Sequence, residues 1–226
     1  MMRRLLAEGL GALLLAAAVI GSGIMAERLA DGSTAVALLA NTGATVAALA
    51  VLIALFGPMT GAHFNPVITL VATAKRSLPV GEASANIAVQ VVGCCLGAIL
   101  ANVMFELPML QFSSQPRTGA AQWLSEVVAT AGLVLVAFTA PSVKEAAWRV
   151  PAWIGAAYWF TASTSFANPA ITIGRTLTDT FTGIRPIDAG GFILAQIAGG
   201  LLGLVATRVF PSGNTEAGQN RAGSYS

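Results

Sequence analysis

"GAHFNPVITL" occupies residues 61–70 and "SFANPAITIG" occupies residues 165–174. Each joins Asn-Pro to a small apolar residue and then to a short run rich in β-branched residues. Both stretches sit in a chain that is 55% hydrophobic and only 10% charged, far below the ~25% charge of a soluble domain. Asn and Pro are expensive in such a setting, and the same insertion is made twice.

Around these two stretches lie apolar runs at about 5–26, 34–56, 84–105, 122–142, 147–164 and 189–209. Most reach the ~20 residues a helix needs to cross a ~30 Å hydrocarbon core. They do not alternate apolar and polar residues over ~10 positions, as barrel strands do. The expected fold is therefore an all-α membrane protein with six spanning helices. The run before Asn168 is the weakest of the six, because Ser and Thr crowd 161–165. Arg3 and Arg4 before an apolar run resemble a signal peptide, but Glu8 interrupts the run and no small-residue cleavage site follows.

Three features recur in order. "LLAEGLGALLL" (5–15) pairs with "WLSEVVATAGLVLV" (123–136), each with one carboxylate early in a span, Glu8 and Glu126. "HFNPVITL" pairs with "FANPAITI". "IAVQVVGCCLGAIL" (87–100) pairs with "ILAQIAGGLLGLV" (193–205), which aligns Gln90 with Gln196. Each half holds three spans, an odd number, so the halves cross the membrane in opposite senses. That is an inverted repeat about an axis in the membrane plane, with halves at about 1–115 and 116–210.

The repeat explains the Asn-Pro pairs. After each Asn the apolar run is too short to span, since Lys75 and Arg175 arrive quickly. Each motif reads as a re-entrant half-helix with Asn at the cap and Pro in the first turn, where a missing N–H is harmless. Irregular backbone at that depth is tolerated only when buried in protein or lining water. The two half-helices then aim their positive N-terminal ends at one midplane point, where each Asn amide offers donors to a passing water or hydroxylated solute.

These features together resemble the aquaporin and glycerol-facilitator superfamily, the major intrinsic proteins. The resemblance covers about residues 1–210 and rests on the paired motifs, the two carboxylates, the "GAHFNP" lead-in and the Gln-x-x-Gly pairs at Gln90/Gly93 and Gln196/Gly199. It implies a single channel domain over 1–210, a homotetramer in the lipid bilayer, and passive conduction of small neutral solutes without a cofactor or metal. It names Asn65, Pro66, Val67, Asn168, Pro169 and Ala170 as the pore motifs, with Val67 where the family usually has Ala. Glu8 and Glu126 become structural acceptors for the re-entrant backbones.

The chain departs from the family at the outer constriction. The arginine that usually follows the second motif is Ile171 here. Ungapped counting from each Asn places the other constriction positions at Thr45, Ala156 and Ser165, all small or medium and uncharged, which implies a wide, half-apolar filter. A shift of a residue or more in "WIGAAYWF" brings Trp153 or Tyr158 to the pore instead. Arg175 lies one helical turn beyond Ile171 on the same face; it reads either as a displaced charge at the outer mouth or as an interface anchor paired with Asp179. His63 reads as a hydrogen-bonding group of the inner vestibule or as a pH sensor.

The second motif and its tail, "NPAITIGRTLTDTFTGI", are similar to bacterial members associated with arsenic resistance. The implied permeants are glycerol-like polyols, arsenous acid or methylated arsenicals, and water. The alternatives are an inverted-repeat secondary transporter, in which Glu8 or Glu126 would be the coupling site, and a plain water channel. An enzyme is not expected: there is one His, no paired acids, and no G-x-x-x-x-G-K-[ST] loop. Cys94 and Cys95 are adjacent mid-span residues that would lack a third ligand for a metal. With six spans, Arg3, Arg4, Lys75, Arg76, Lys144, Arg149, Arg208 and Arg221 fall on the side of the termini, against Arg28, Arg117, Arg175 and Arg185 on the other. That bias places both termini in the cytoplasm of a bacterial inner membrane. The basic residues are scattered along the membrane edges, so no nucleic-acid patch is expected. The Gly- and Ser-rich tail, 211–226, is expected to be a disordered cytoplasmic segment.

Overall fold

The computed structural model describes residues 1–210; the tail 211–226 lies outside them. Eight α-helices and no strand are found among the described residues. Six are long: α1 (Met2–Leu29), α2 (Thr34–Thr60), α4 (Val80–Met104), α5 (Ala120–Thr139), α6 (Val143–Phe160) and α8 (Pro186–Val209). Two are short: α3 (Pro66–Ala74) and α7 (Pro169–Gly174), the latter continued by a 3-10 turn at Arg175–Leu177.

Five of the long helices are long and apolar enough to cross a membrane. The sixth, α6, has 18 residues, or about 27 Å at 1.5 Å per residue. It starts and ends four residues before the expected 147–164. The Ser142 hydroxyl caps its start by accepting the Glu145 N–H, which draws Lys144, Glu145 and Arg149 into its first two turns. Its polar continuation becomes a loop in which Thr164 and Ser165 both take positive φ.

The inverted repeat sets the packing. α1 lies along α4 in the first half, and α5 lies along α8 in the second. Gly93 and Gly97 stand three and seven residues after Gln90, and Gly199 and Gly203 stand likewise after Gln196. A Cβ at any of the four would strike backbone of the neighbouring helix: Gly9 and Leu13 carbonyls in the first half, Val127 and Ala131 carbonyls in the second. Close approach through small residues is how helices gain contact when lipid is as apolar as the side chains.

The halves interlock through the short helices. α7 seats against α4 and α3 against α8. Val67, the departure from the family's usual Ala, is accommodated because the residue facing it is Gly200, where a Cβ would meet the Val67 side chain. The nine residues of α3 extend about 13 Å, under half of a bilayer core. With α1 and α2 antiparallel, the C-terminal end of α2, and so α3, lies on the side of the termini, while α7 lies on the far side.

Candidate functional site

The two caps meet at the centre. Asn65 Oδ1 accepts the Val67 N–H at 2.9 Å, and its Nδ2 donates to the Ala167 carbonyl at 2.7 Å. Asn168 Oδ1 accepts the Ala170 and Ile171 N–H groups, and its Nδ2 donates to the Phe64 carbonyl at 2.8 Å. Each amide therefore caps its own half-helix and ties it to the backbone of the opposite repeat. An amide nitrogen has two protons, so one on each Asn remains for the lumen that both residues line.

The backbone leading to each cap is strained in the same way. Ala62, Phe64, Thr164, Ser165 and Ala167 all have φ between 46° and 60°, a region that costs non-glycine residues energy unless surroundings hold it. The two buried carboxylates supply that hold. Glu8 accepts the His63 and Phe64 N–H groups at 3.0 and 2.9 Å and Gln90 Nε2 at 2.9 Å. Glu126 accepts the Phe166 and Ala167 N–H groups at 2.9 and 2.8 Å, Gln196 Nε2 at 2.7 Å and Ser163 Oγ at 2.6 Å. Neither carboxylate lines the lumen, and both side chains are fully buried.

The lumen is a cavity of about 180 Å³, room for several waters in file. On α6 its wall is Ala146, Val150, Ile154 and Tyr158, a stripe at intervals of four covering about 18 Å of helix. Leu49, Ile53 and Leu133 continue the apolar wall, while Asn65, Asn168 and the loop residues 61–63 and 165–167 supply the polar side. At the terminal side stands His63, whose Nδ1 lies 3.1 Å from Thr69 Oγ1. Thr69 gives its single proton to the Asn65 carbonyl and accepts from Gln90. The hydrogen bond between His63 Nδ1 and Thr69 Oγ1 pins the His63 ring at the lumen wall.

At the far side the lumen is bounded by Thr45, Tyr158, Ser165, Ile171 and Arg175. Thr45 and Tyr158 hydroxyls lie 3.4 Å apart. Ser165 also lines the lumen, and its Oγ is buried without a protein partner. Ala156 is not part of this ring. It is exposed on the outer surface of α6, because two residues from Ile154 or Tyr158 is a rotation of about 200° around the helix axis. Ungapped counting failed because the loop between α6 and Asn168 sets the register, not the helix. Tyr158 takes the place, so the ring includes an aromatic wall and is less open than four small side chains would leave it. Trp153, the other candidate, instead donates its indole N–H to the Ala129 carbonyl.

Arg175 is not an interface anchor paired with Asp179. The Asp179 carboxylate accepts the Ser114 N–H and hydroxyl at 2.7 and 2.9 Å. Arg175 is 3% exposed; its Nε donates to the Thr182 carbonyl, and its guanidinium lies over the Phe166 ring. Phe166 stands where His63 stands in the first repeat, two residues before the Asn, and that equivalence is the one sequence signal that could have marked it.

The family of channels with this architecture is matched directly. The model of the family described as "Major intrinsic protein" matches residues 1–162. The chain belongs to the major intrinsic protein family. This major intrinsic protein is 49% identical over 208 residues to aquaglyceroporin AqpS of Rhizobium meliloti (strain 1021), covering 91% of this chain and 89% of that one. Its fold matches the X-ray structure of the aquaglyceroporin from Plasmodium falciparum with a TM-score of 0.71 at 16% identity, over 92% of this chain and 95% of the other. It is thus a multi-pass membrane channel protein and not an enzyme, and the coupled-transporter alternative falls with that assignment.

Proposed function

We propose that this protein is a passive channel of the bacterial inner membrane for small neutral hydroxylated solutes: glycerol-like polyols, arsenous acid or methylated arsenicals, and water. The observation that carries the reading is Ile171. It follows the Asn168-Pro169-Ala170 cap directly, lines the lumen, and is apolar where the family usually places arginine. Thr45, Tyr158 and Ser165 bring three hydroxyl-bearing side chains to the same lumen that the apolar Ile171 lines. That mixture suits a solute with hydroxyls on one edge and carbon or methyl on the other. The name of the bacterial relative, an aquaglyceroporin, supports the water and glycerol part of that class.

Two further elements belong to this reading. The positive-charge bias places both termini in the cytoplasm, so His63 faces the inner vestibule and Arg175 the outer mouth. Large apolar side chains such as Leu194, Leu201, Leu202 and Val205 are exposed along α8, a surface available to lipid or to the other copies of a homotetramer.

The test is light scattering of proteoliposomes under matched gradients of sorbitol, glycerol and arsenous acid, wild type against Ile171→Arg. The wild type is expected to pass glycerol and arsenous acid as well as water, and the variant to lose the larger solutes first. A wild type that passes water alone makes the protein a plain water channel. Unchanged solute rates in the variant remove Ile171 from the filter.

A further inference from the structure

The outer mouth holds a feature that the solute filter does not use. Arg175 and Arg117 come from segments 58 residues apart in the chain, yet both guanidiniums lie over one ring, that of Phe166, at 3.4 and 5.2 Å from its centroid. Two charges over the same ring are less than ~9 Å apart, comparable with the roughly 10 Å Debye length at 0.1 M salt. Their fields therefore add at the mouth.

Neither guanidinium is paired directly with a carboxylate. Among the described residues no ion pair involves Arg175 or Arg117. Of the acidic groups on this side, Asp188 is engaged by Arg185 and by the Arg117 backbone N–H, Asp179 by Ser114, Glu27 by the Phe181 N–H and the buried Glu126 by its own loop, while Asp31 and Glu106 are exposed and pair with neither arginine. The two arginines are held instead by neutral acceptors. Arg117 Nε donates to the Gly183 carbonyl at 2.7 Å and an Nη to the Phe181 carbonyl at 3.1 Å. Arg175 Nε donates to the Thr182 carbonyl, and its Nη groups make no hydrogen bond with the described residues, so they face the lumen that Arg175 lines. The Thr182 segment is braced from behind by a hydroxyl ladder, Thr182 to Thr180 to Thr178 to Asn102.

A guanidinium is costly to bury without a counter-ion. Holding it with carbonyls and a π face leaves it without a directly paired anion at the passage. We infer that Arg175, positioned by the Phe166 stack with Arg117, is the charge-selecting residue of the pore: it rejects cations and offers its Nη protons to acceptor oxygens one turn outward of the apolar Ile171. Size selection and charge selection, which one arginine beside the motif would combine, are thereby separated along the axis. This rests on the channel reading above, because it requires a passage wide enough for the rejected cations.

The test uses a neutral and a charged solute of the same shape, urea and guanidinium, in proteoliposomes of the full chain with a potassium ionophore to balance charge. Glycerol flux is followed in parallel. The wild type passes urea and excludes guanidinium. Arg175→Gln raises the guanidinium-to-urea ratio on the order of tenfold, the effect of removing one charge at ~6 Å in partly solvated surroundings. Arg175→Lys, which keeps the charge, retains most of the exclusion. Arg117→Gln, outside the lumen wall, raises the ratio by a smaller factor and reads the same field if Arg175→Gln does not assemble. A structural role for Arg175 would change urea and guanidinium together. Urea flux with undiminished guanidinium exclusion in both Gln variants overturns this proposal alone. Absence of urea and glycerol flux in the wild type overturns the channel reading, and this proposal with it.

Discussion

Replacing Glu126 with Leu removes the acceptor for four donors: the Phe166 and Ala167 N–H groups, Ser163 Oγ and Gln196 Nε2. Gln196 keeps Thr172 as a partner, and the Ser163 hydroxyl can turn its proton elsewhere. The two backbone N–H groups have no such freedom, because Ala167 and its neighbours are locked between the cap and a left-handed loop. Each stranded buried donor costs about 1–3 kcal/mol, so the Leu variant loses about 2–6 kcal/mol at least. That is a large part of the 5–15 kcal/mol that ordinarily separates native from unfolded protein. Glu126→Gln retains one oxygen acceptor; the Gln196 amide can flip to meet the new N–H₂, leaving one backbone donor stranded at about 1–3 kcal/mol. Glu8 likewise holds two backbone N–H groups and one Gln amide, so Glu8→Leu is expected to lose a similar amount. Thermal unfolding and size-exclusion profiles of detergent-purified protein, with glycerol flux as the functional readout, give the order wild type, Gln variant, Leu variants. A Glu126→Leu protein with wild-type midpoint and flux, or a Gln variant as damaged as the Leu one, refutes the account of these carboxylates as loop acceptors.

Three other outcomes are expected. Ala156→Trp leaves solute flux unchanged because the side chain points away from the lumen, whereas Ile154→Trp two residues earlier blocks it; stopped-flow scattering of the pair decides which face of α6 lines the pore. Tyr158→Phe removes one filter hydroxyl and slows glycerol more than water in the same assay. Gly97→Val and Gly203→Val each force α1 from α4 or α5 from α8, since the added atoms strike backbone. Overpacking of this kind costs about 1–3 kcal/mol or more, so both lower the thermal midpoint, and a shallow surface substitution such as Leu201→Val does not.

The spans, the two half-helices and their inverted relation are legible in the chain itself. A bilayer core admits only segments that satisfy their own backbone, so an apolar run of given length has one structural meaning there. Asn-Pro at a break in such a run has one economical reading, a capped helix start. The repeat order then required the two starts to face each other. Glu8, Glu126, Gln90 and Gln196 were visible for the same reason, as costly groups recurring at matched positions.

What the tertiary structure alone decided was which side chains surround the passage. Along α6, lipid and lumen are both met by apolar residues, so no amphipathic period distinguishes Ala156 on one face from Ile154 and Tyr158 on the other. The loop between α6 and Asn168 sets that register through its left-handed residues, which Thr164 and Ser165 adopt without any glycine to announce them. Arg117 shows the same limit more sharply. Nothing in its local sequence points to the pore; it reaches the Phe166 ring because the far-side loops close over α7 and hydrogen-bond to one another, Ser113 N–H to the Thr176 carbonyl and Arg185 N–H to the Gln115 carbonyl. Periodicity records what a helix needs from its solvent, whereas a ring of residues drawn from four segments exists only once those segments are packed.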